Sequence, residues 1–287
     1  MDTGDCPNFG GLSSQYSSFE NAKIVVIPVP YDGTSTWVKG ADKGPSAILE
    51  ASANMELYDI ATDSQVYKLG IHTAPPIDVA DSPEAMVQAV YQASLHYLKA
   101  NKLPVVLGGE HSVSIGAIQA SFETFANLTV LQLDAHADMR DEYLGSKFNH
   151  ACVMARVKEM GPFVQVGIRS MSRRETAMIE RSRIFYAEEM ADNSTWMARV
   201  LEQLTDNVYL TIDLDAFDPS IMPSTGTPEP GGLLWYPVMK LLEMVVRHKR
   251  VVGVDVVELC PNENNKAPDF LAAKMIYQIL SNIFSQP

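Results

Sequence analysis

Six short runs of mostly β-branched apolar residues constrain the fold of this chain more than any other feature. They occupy residues 24–29, 103–107, 128–133, 163–168, 207–212 and 250–257. A strand with one solvated face alternates apolar and polar residues, whereas a strand of a parallel sheet is covered on both faces and is apolar throughout. Because these runs are mostly apolar and show no regular alternation with polar residues, they predict an α/β fold with a buried, mainly parallel sheet.

Helical patterns fill the intervals between these runs, at residues 82–100, 112–125, 194–204, 237–248 and 267–284. Asp81 or Ser82 can cap the first helix, with Pro83 in its first turn. Such alternation is typical of right-handed βαβ units. The segment 218–235 is rich in Pro and Gly, which favours a long functional loop over a domain boundary. We therefore expect one domain over residues 1–287, with residues 1–21 as an N-terminal extension.

Composition and charge exclude several classes of function. The 287 residues include 22 Lys+Arg and 35 Asp+Glu, a formal net charge of -13, and 46% are hydrophobic. A chain this apolar is not a disordered acidic tail. Nucleic-acid binding requires clustered basic residues, and an anionic membrane surface repels a protein of this charge. We therefore expect neither nucleic acid nor membrane as a partner.

Cysteine usage and the opening residues bear on the compartment. Cys6, Cys152 and Cys260 are far apart and form no CxxC pair, which disfavours a zinc knuckle, a thioredoxin-type site and a disulfide scaffold. The opening residues have no basic and apolar signal pattern, and no apolar run approaches the ~20 residues that span a bilayer. These observations predict a soluble protein of the reducing cytoplasm.

Polar residues follow four of the predicted strands, where parallel sheets bind their ligands. They are GGEHS at 108–112, DAHAD at 134–138, DLD at 213–215 and Glu258. Alternate residues of an extended segment point to one side, so Asp134, His136 and Asp138 can share one volume. Packed carboxylates cannot all stay ionised unless cations compensate them. We therefore expect two divalent ions, and the oxygen-rich ligands with imidazoles favour Mn²⁺ or a similar ion.

Each of these motifs also has a structural interpretation when it is taken alone. A single His111 after a strand is commonly a hydrogen-bonded core residue, and a DxD sequence is a common turn or cap. Cys152, close to His150, has no separate partner that would orient a thiol nucleophile, so we expect it to pack in the core. Metal binding is favoured by the combination of three motifs, each at the end of a strand.

These motifs resemble those of a known family. GGEHS, DAHAD and DLDAFDP, in this order, resemble the three metal-binding motifs of the ureohydrolase (arginase/agmatinase) superfamily. Residues 226–233 (GTPEPGGL) resemble a loop of the agmatinase branch, and residues 255–258 (DVVE) resemble the segment with the guanidinium-binding glutamate. Residues 40–45 (GADKGP) resemble a further glycine-proline loop of the family. The resemblance extends over nearly the whole chain from about residue 22.

The resemblance implies an arginase-like fold, a three-layer α/β/α sandwich around a mainly parallel eight-stranded sheet. It also implies two Mn²⁺ ions per subunit and assembly into a homotrimer or homohexamer. One ion would be held by His111, Asp134, Asp138 and Asp213, and the other by Asp134, His136, Asp213 and Asp215. Asp134 and Asp213 would then bridge the two ions.

The same resemblance gives roles to residues around the ions. We expect hydroxide, generated from a water shared by two divalent ions, to attack the guanidinium carbon. Asp138 would carry the proton to the departing amine, and Glu258 would pair with the guanidinium group, with Thr227 fixing that geometry. His150 would lie at the mouth as a proton shuttle or substrate contact. As alternatives, Glu258 could be a structural ion-pair partner and His150 could cap the next helix.

The choice of guanidine substrate is less constrained. Ser170 and Ser172 stand where arginases carry aspartates, which argues against an arginase. The loop at 141–147 and Glu110 resemble bacterial and archaeal agmatinases, and Asp141 and Glu142 would suit a terminal ammonium group or form a solvated loop. We expect hydrolysis of agmatine to urea and putrescine. N1-aminopropylagmatine and guanidinobutyrate remain alternatives.

Two other classes of function stay open at this point. A metal-dependent deacetylase of the same general fold needs only one metal site, so the complete set of ligands argues against it. A non-catalytic, metal-stabilised protein would be expected to lack a ligand or Glu258, and both are present.

Overall fold

One sheet of eight parallel strands runs through the residues that the computed structural model describes, 8–78, 82–191 and 195–285. The strands are β1 (Ile24–Val29), β2 (Ile71–Thr73), β3 (Leu103–Gly108), β4 (Leu128–Leu133), β5 (Phe163–Ile168), β6 (Ile184–Tyr186), β7 (Asn207–Asp213) and β8 (Arg250–Val257). Their order across the sheet is β2-β1-β3-β8-β7-β4-β5-β6, and every neighbouring pair is parallel. The predicted parallel sheet is therefore confirmed.

Helices cover both faces of this sheet. They are α1 (Ser14–Ser17), α2 (Gly44–Ser52), α3 (Pro83–Lys99), α4 (Ser114–Thr124), α5 (Val153–Met160), α6 (Ala187–Met190), α7 (Trp196–Gln203), α8 (Trp235–His248) and α9 (Ala267–Phe284). Ile24 and Val26 of β1 pack into a core with residues of α2, α7, α8 and α9, whereas Val25 and Ile27 pack into a second core with residues of α3, α4 and α5. Alternate residues of a strand thus pack into two cores on opposite faces of the sheet, as a three-layer α/β/α sandwich requires.

The strands and helices that the sequence did not indicate are mostly short. The edge strands β2 and β6 have three residues each, too few for a periodic pattern. Helix α2 was missed because it begins at Gly44-Pro45 directly after a glycine-rich loop, and α5 was missed behind the DAHAD motif. Ser82 caps α3 by accepting a hydrogen bond from the Ala85 backbone N–H, as expected.

Some expectations fall outside the described residues. Asp81, the other candidate cap, Cys6 and residue 194, the expected start of a helix, are among them. Cys152 and Cys260 are free thiols, and Cys152 is fully buried, as its predicted role in the core requires. In the described part of the chain, every helix is too short or too polar to cross a bilayer. The domain boundaries and the cytoplasmic location stay predictions.

The strand order brings the four polar motifs together. Because all strands are parallel, their carboxyl ends lie along one edge of the sheet. The central strands β3, β8, β7 and β4 are consecutive neighbours, with Leu107 paired to Val256 and Leu133 paired to Ile212. The Glu258 N–H also donates to the Gly109 carbonyl over 2.8 Å. The residues that follow these four strands therefore surround one point at the middle of the edge.

Candidate active site

His111 is the centre of a first group of possible metal ligands. Its Nδ1 lies 3.1 Å from an Asp134 oxygen, 3.0 Å from an Asp138 oxygen and 3.4 Å from an Asp213 oxygen. This nitrogen is buried, yet it makes no hydrogen bond of acceptable geometry with any described residue. A buried imidazole nitrogen without such a bond, surrounded by three carboxylates, matches the donor set of a divalent-cation site.

His136 forms a second group with two aspartates. Its Nδ1 lies 2.9 Å from an Asp215 oxygen and 3.7 Å from an Asp134 oxygen. Ligand atoms of Asp134, His136 and Asp215 all lie within 4.8 Å of one another, as do those of His111, Asp134 and Asp213. Asp134 belongs to both groups, which is the arrangement expected of a bridging ligand.

The expected bridging role of Asp213 is less evident in the geometry. Asp213 joins only the first group, and its Oδ1 accepts the backbone N–H of Asp215 over 2.8 Å. Asp138 approaches His111 Nδ1 to 3.0 Å as expected, although its oxygens lie farther from the other ligand atoms of the two groups. The assignment of six residues to two ions therefore stays a prediction, while their convergence at one place is observed.

The charges of this centre are strongly interdependent. Burial opposes protonation of both imidazoles, but the adjacent aspartates outweigh it and raise the pKa of His136 to about 12 and that of His111 well above its usual value. Burial and the charge of Asp134 raise the pKa of Asp138 to about 7. Burial and the charges of Asp215 and Asp134 raise the pKa of Asp213 well above its usual value. Without bound cations, this cluster must therefore hold protons to balance its carboxylates.

Two residues of the centre have backbone conformations that non-glycine residues rarely adopt. Asp138 has φ 50° and Glu258 has φ 67°, both in the left-handed region. The Asp138 carbonyl accepts hydrogen bonds from Met154 and Ala155 at the start of α5, at 3.0 and 3.2 Å. Such conformations persist only when surrounding contacts determine them, and they cluster at functional sites.

Sequence reasoning missed the residues that orient His111. Its Nε2 lies 2.9 Å from the Thr211 hydroxyl, which donates to Asp255 over 2.7 Å, and all three side chains are buried. A partner on the second nitrogen fixes the ring orientation of a ligating histidine. The sequence held one sign of these residues. Thr211 and Asp255 are polar residues within the mostly apolar strands β7 and β8, at positions that are buried in the structure.

Glu258 lies beside the ligands at the end of β8. Its Oε1 accepts the backbone N–H of His111 over 2.7 Å. Burial, followed by the nearby charge of Glu110, raises its pKa well above the usual range. Glu258 has no basic partner in the described chain. The alternative of a structural ion pair is therefore unsupported. A bound cationic ligand would offset the free-energy cost of burying the ionised Glu258 carboxylate.

A cavity of about 250 Å³ opens above the centre. Its lining includes the predicted site residues His111, His136, Asp138, His150, Asp213, Thr227 and Glu258. Asp134 and Asp215 are buried and do not appear in this lining. Trp37, which is 77% exposed, and Tyr143 also line it. The expected roles of these residues remain proposals, but the structure places them around one volume.

His150 faces this cavity from the turn that precedes α5. Asn149 caps that turn by accepting the Ala151 N–H, so the expected alternative of a capping His150 is not supported. Burial lowers the pKa of His150 to about 4. The Thr34 hydroxyl lies 3.2 Å from its Nδ1 and also accepts its backbone N–H over 2.9 Å. His150 is therefore a neutral, anchored imidazole.

The loop after DAHAD differs from one expectation. Asp141 is 62% exposed and pairs with Arg156 at 2.7 Å and with Lys147 at 3.6 Å. The cavity lining found in the described chain includes neither Asp141 nor Glu142, so the structure favours the alternative of a solvated loop over an ammonium contact there. Helix α5 supplies Arg156, and its position was not foreseen. The carboxylate that does line the cavity beside this loop is Glu175, which accepts the Met139 and Ser172 N–H groups.

Arg169, at the end of β5, connects the loops around the second ligand group. Its guanidinium donates to the Asp215 carbonyl at 2.6 Å and the Glu229 carbonyl at 2.8 Å. Further bonds reach the carbonyls of Gly167, Phe217 and Pro230. The Glu229 side chain lies 3.7 Å from His136 Nε2. Arg169 therefore holds the Asp215 turn against the loop at 226–233.

Comparisons with known proteins agree with this geometry. The profile of the Arginase family matches residues 22–281. The chain is 40% identical to the N(1)-aminopropylagmatine ureohydrolase of Synechocystis sp., over 93% of this chain and 91% of that protein. It is 32% identical to the agmatinase of Pyrococcus horikoshii, over 91% and 92% of the two chains. The crystal structure of the agmatine ureohydrolase of Thermoplasma volcanium superposes with a TM-score of 0.87 at 29% identity, covering 95% and 94%.

Proposed function

The chain belongs to the arginase family of ureohydrolases, and from this premise we propose that it is a binuclear manganese enzyme that hydrolyses a linear guanidine to urea and a polyamine. The observation that carries the proposal is the pair of ligand groups that share Asp134, at the base of a cavity that also contains Glu258 and His150. Neither a one-metal deacetylase nor a non-catalytic protein accounts for this complete set.

The ligand groups define where two Mn²⁺ ions would be held. His111, Asp138 and Asp213 would hold one, His136 and Asp215 the other, and Asp134 both. The oxygen-rich donor set and the unbonded His111 Nδ1 fit such an ion. When bound, the ions supply the Lewis acidity that makes water nucleophilic at neutral pH.

The surrounding residues act on the substrate directly. Glu258 binds the guanidinium group by charge-assisted hydrogen bonds and orients its carbon toward the ligand centre, and Thr227 lies in the same wall of the cavity. Asp138, ionised as a ligand, takes a proton from the attacking water and gives it to the amine nitrogen as the C–N bond breaks. His150 accepts a hydrogen bond from the substrate at the mouth of the cavity, because burial lowers its pKa to about 4 and its imidazole is neutral at physiological pH.

The substrate that we propose is N1-aminopropylagmatine, with agmatine as the second candidate. The relative at 40% identity is named for the aminopropyl compound, and the agmatinase relative is 32% identical. Trp37 lines the cavity and is largely exposed, so its ring is available to a cationic chain that extends beyond the guanidinium site. This ranking reverses the expectation from the motifs alone, which placed agmatine first. The agmatinase-like loop at 226–233 supports the second candidate.

Steady-state kinetics of urea release test this proposal. The protein, loaded with Mn²⁺, is assayed with N1-aminopropylagmatine, agmatine, guanidinobutyrate and arginine. We expect the highest kcat/KM with the aminopropyl compound and the lowest with arginine. A higher kcat/KM with agmatine would leave the ureohydrolase assignment intact and overturn the substrate assignment. A preference for guanidinobutyrate or arginine would overturn the proposed polyamine class.

A further inference from the structure

The Thr34 hydroxyl, in the loop after β1, contacts three polar atoms at once. It donates to Oε2 of the buried Glu110, and its oxygen lies 2.9 Å from the backbone nitrogen and 3.2 Å from Nδ1 of His150. Glu110 Oε1 accepts from the Ser112 hydroxyl. Thr34 thereby links a carboxylate beneath the cavity to an imidazole in the cavity wall.

The hydrogen-bonding capacity of a hydroxyl decides which atoms donate. A threonine hydroxyl has one donor and two lone pairs. An ionised Glu110 carboxylate can only accept, so the hydroxyl proton is directed to it and both lone pairs of Thr34 are left to accept. The backbone N–H of His150 can only donate and takes one of them. The other therefore accepts from Nδ1, which must carry the proton of the neutral ring.

We propose that Thr34 is a positioning residue that holds His150 as its Nδ1–H tautomer, so that the unprotonated Nε2 is the nitrogen that meets the substrate. The inference rests on the proposed function only for the role of His150, since the tautomer follows from the contacts of Thr34 with His150 and an ionised Glu110. A neutral Nε2 accepts a hydrogen bond or a proton from the substrate. The opposite tautomer would present an N–H group to a cationic substrate.

The surrounding structure keeps Thr34 in this position. Asp32 accepts the Gly40 N–H over 2.7 Å and the Lys39 ammonium over 3.3 Å, which closes the loop that carries Thr34. The Glu110 N–H donates to the Tyr31 carbonyl over 2.8 Å, which fastens the start of this loop to the segment after β3. These hydrogen bonds fix the backbone of the loop, and with it the position of the Thr34 hydroxyl beside His150.

Kinetics of four variants test the positioning role. Thr34→Val removes the hydroxyl at nearly constant volume, and Thr34→Ser retains it. We expect Thr34→Val to lower kcat by about tenfold or more with a smaller change in KM, and Thr34→Ser to stay within about threefold of wild type. In a His150→Asn background, Thr34→Val should cause less than about a twofold further loss. An equal loss in both backgrounds, or full kcat in Thr34→Val, would overturn the proposal.

A matched control is Thr124→Val. The Thr124 hydroxyl donates only to the Ala120 carbonyl in α4, and it shares a cavity with Lys23 and Arg250 at the amino ends of the strands. This variant should keep wild-type kcat and KM. If Thr34→Val binds as much metal as wild type, its lower kcat reflects the lost positioning of His150 and not a loss of metal.

A measurement that does not depend on turnover keeps this inference separate from the proposed function. Nitrogen-15 histidine spectra of the full chain, prepared without paramagnetic ions, report the tautomer of each imidazole. The His150 signal, assigned by its absence in His150→Asn, should show a protonated Nδ1 in wild type and lose that preference in Thr34→Val. A protonated Nε2 in wild type would refute the tautomer. Absence of urea release by wild type would refute the proposed function instead.

Discussion

Glu258 Oε1 accepts the backbone N–H of His111 over 2.7 Å, so the carboxylate proposed to bind guanidinium is fixed to the segment that carries a metal ligand. The contact leaves Oε2 without a hydrogen-bond donor in the described chain. One interaction thus couples the position of the substrate group to the position of the metal centre. Glutamine has nearly the same shape as glutamate and can accept the same N–H, so Glu258→Gln removes the charge and keeps this contact.

Glu258→Gln should lower kcat/KM by about 10² to 10⁴, because two charge-assisted hydrogen bonds of about 1.5–3 kcal/mol each are weakened or lost. The amide oxygen can still accept the His111 N–H, so bound metal should remain as in wild type. Urea release and elemental analysis measure the two effects. Glu243→Gln, on the exposed face of α8, is the matched control and should behave as wild type. Wild-type turnover by Glu258→Gln would contradict the proposed role.

Metal binding should release protons. In the metal-free centre, burial and the charge of Asp134 raise the pKa of Asp138 to about 7, and the aspartates that outweigh burial raise that of His136 to about 12. Both groups therefore hold protons at pH 6, and both must lose them to act as ligands. Apparent Mn²⁺ affinity should rise between pH 6 and pH 8. Calorimetry in buffers of different ionisation enthalpy measures this release, and an uptake of protons would contradict it.

The acidic surface should attract the cationic substrate. The formal net charge of -13 favours association with a polycation, and salt screens this attraction by shortening the Debye length from about 30 Å at 0.01 M to about 8 Å at 0.15 M. Over that range kcat/KM should fall while kcat stays nearly constant. The comparison needs only steady-state urea release at several NaCl concentrations. A kcat/KM that is constant or rises with salt would exclude such steering.

Arg169→Lys should reduce both stability and metal content. An ammonium group cannot reproduce the planar set of bonds to the Asp215 and Glu229 carbonyls. Loss of several such bonds should lower the free energy of unfolding by about 2–4 kcal/mol. Urea-denaturation curves and elemental analysis give the two quantities. The exposed Arg174 offers a control, since Arg174→Lys should leave both unchanged. If Arg169→Lys and wild type have the same free energy of unfolding and the same metal content, the bonds from Arg169 are not needed to hold the loops.

The sequence predicted those parts of the fold that depend on local pattern. The apolar run of β4 and the DAHAD motif after it are contiguous, so their position at a strand end could be inferred directly. The neighbours of β4 could not be inferred, because sheet order depends on packing between distant segments. Its contact with β7 brings Asp134 to Asp215, whose Oδ1 accepts the Ala135 N–H over 3.0 Å.

The supporting residues of the site were beyond the reach of motif analysis. Thr34 and His150 are 116 positions apart, and Arg169 reaches carbonyls 46 and 60 positions away. Such contacts leave no periodic signal in one sequence. The pairing of Asp141 could not be inferred for the same reason, because its partner Arg156 belongs to a helix that was not predicted. Buried polar positions such as Thr211 and Asp255 were visible, but a pattern of polarity does not reveal what they contact.

The most direct test of the central claim is urea release from a guanidine labelled with carbon-13 at its central carbon. Mn²⁺-loaded protein and N1-aminopropylagmatine or agmatine are followed by carbon-13 NMR, beside a sample from which metal has been removed. We expect label to appear in urea only in the loaded sample and to appear in the metal-free sample once Mn²⁺ is restored. Labelled urea at an equal rate without metal, or no labelled urea from either substrate after loading, would contradict it.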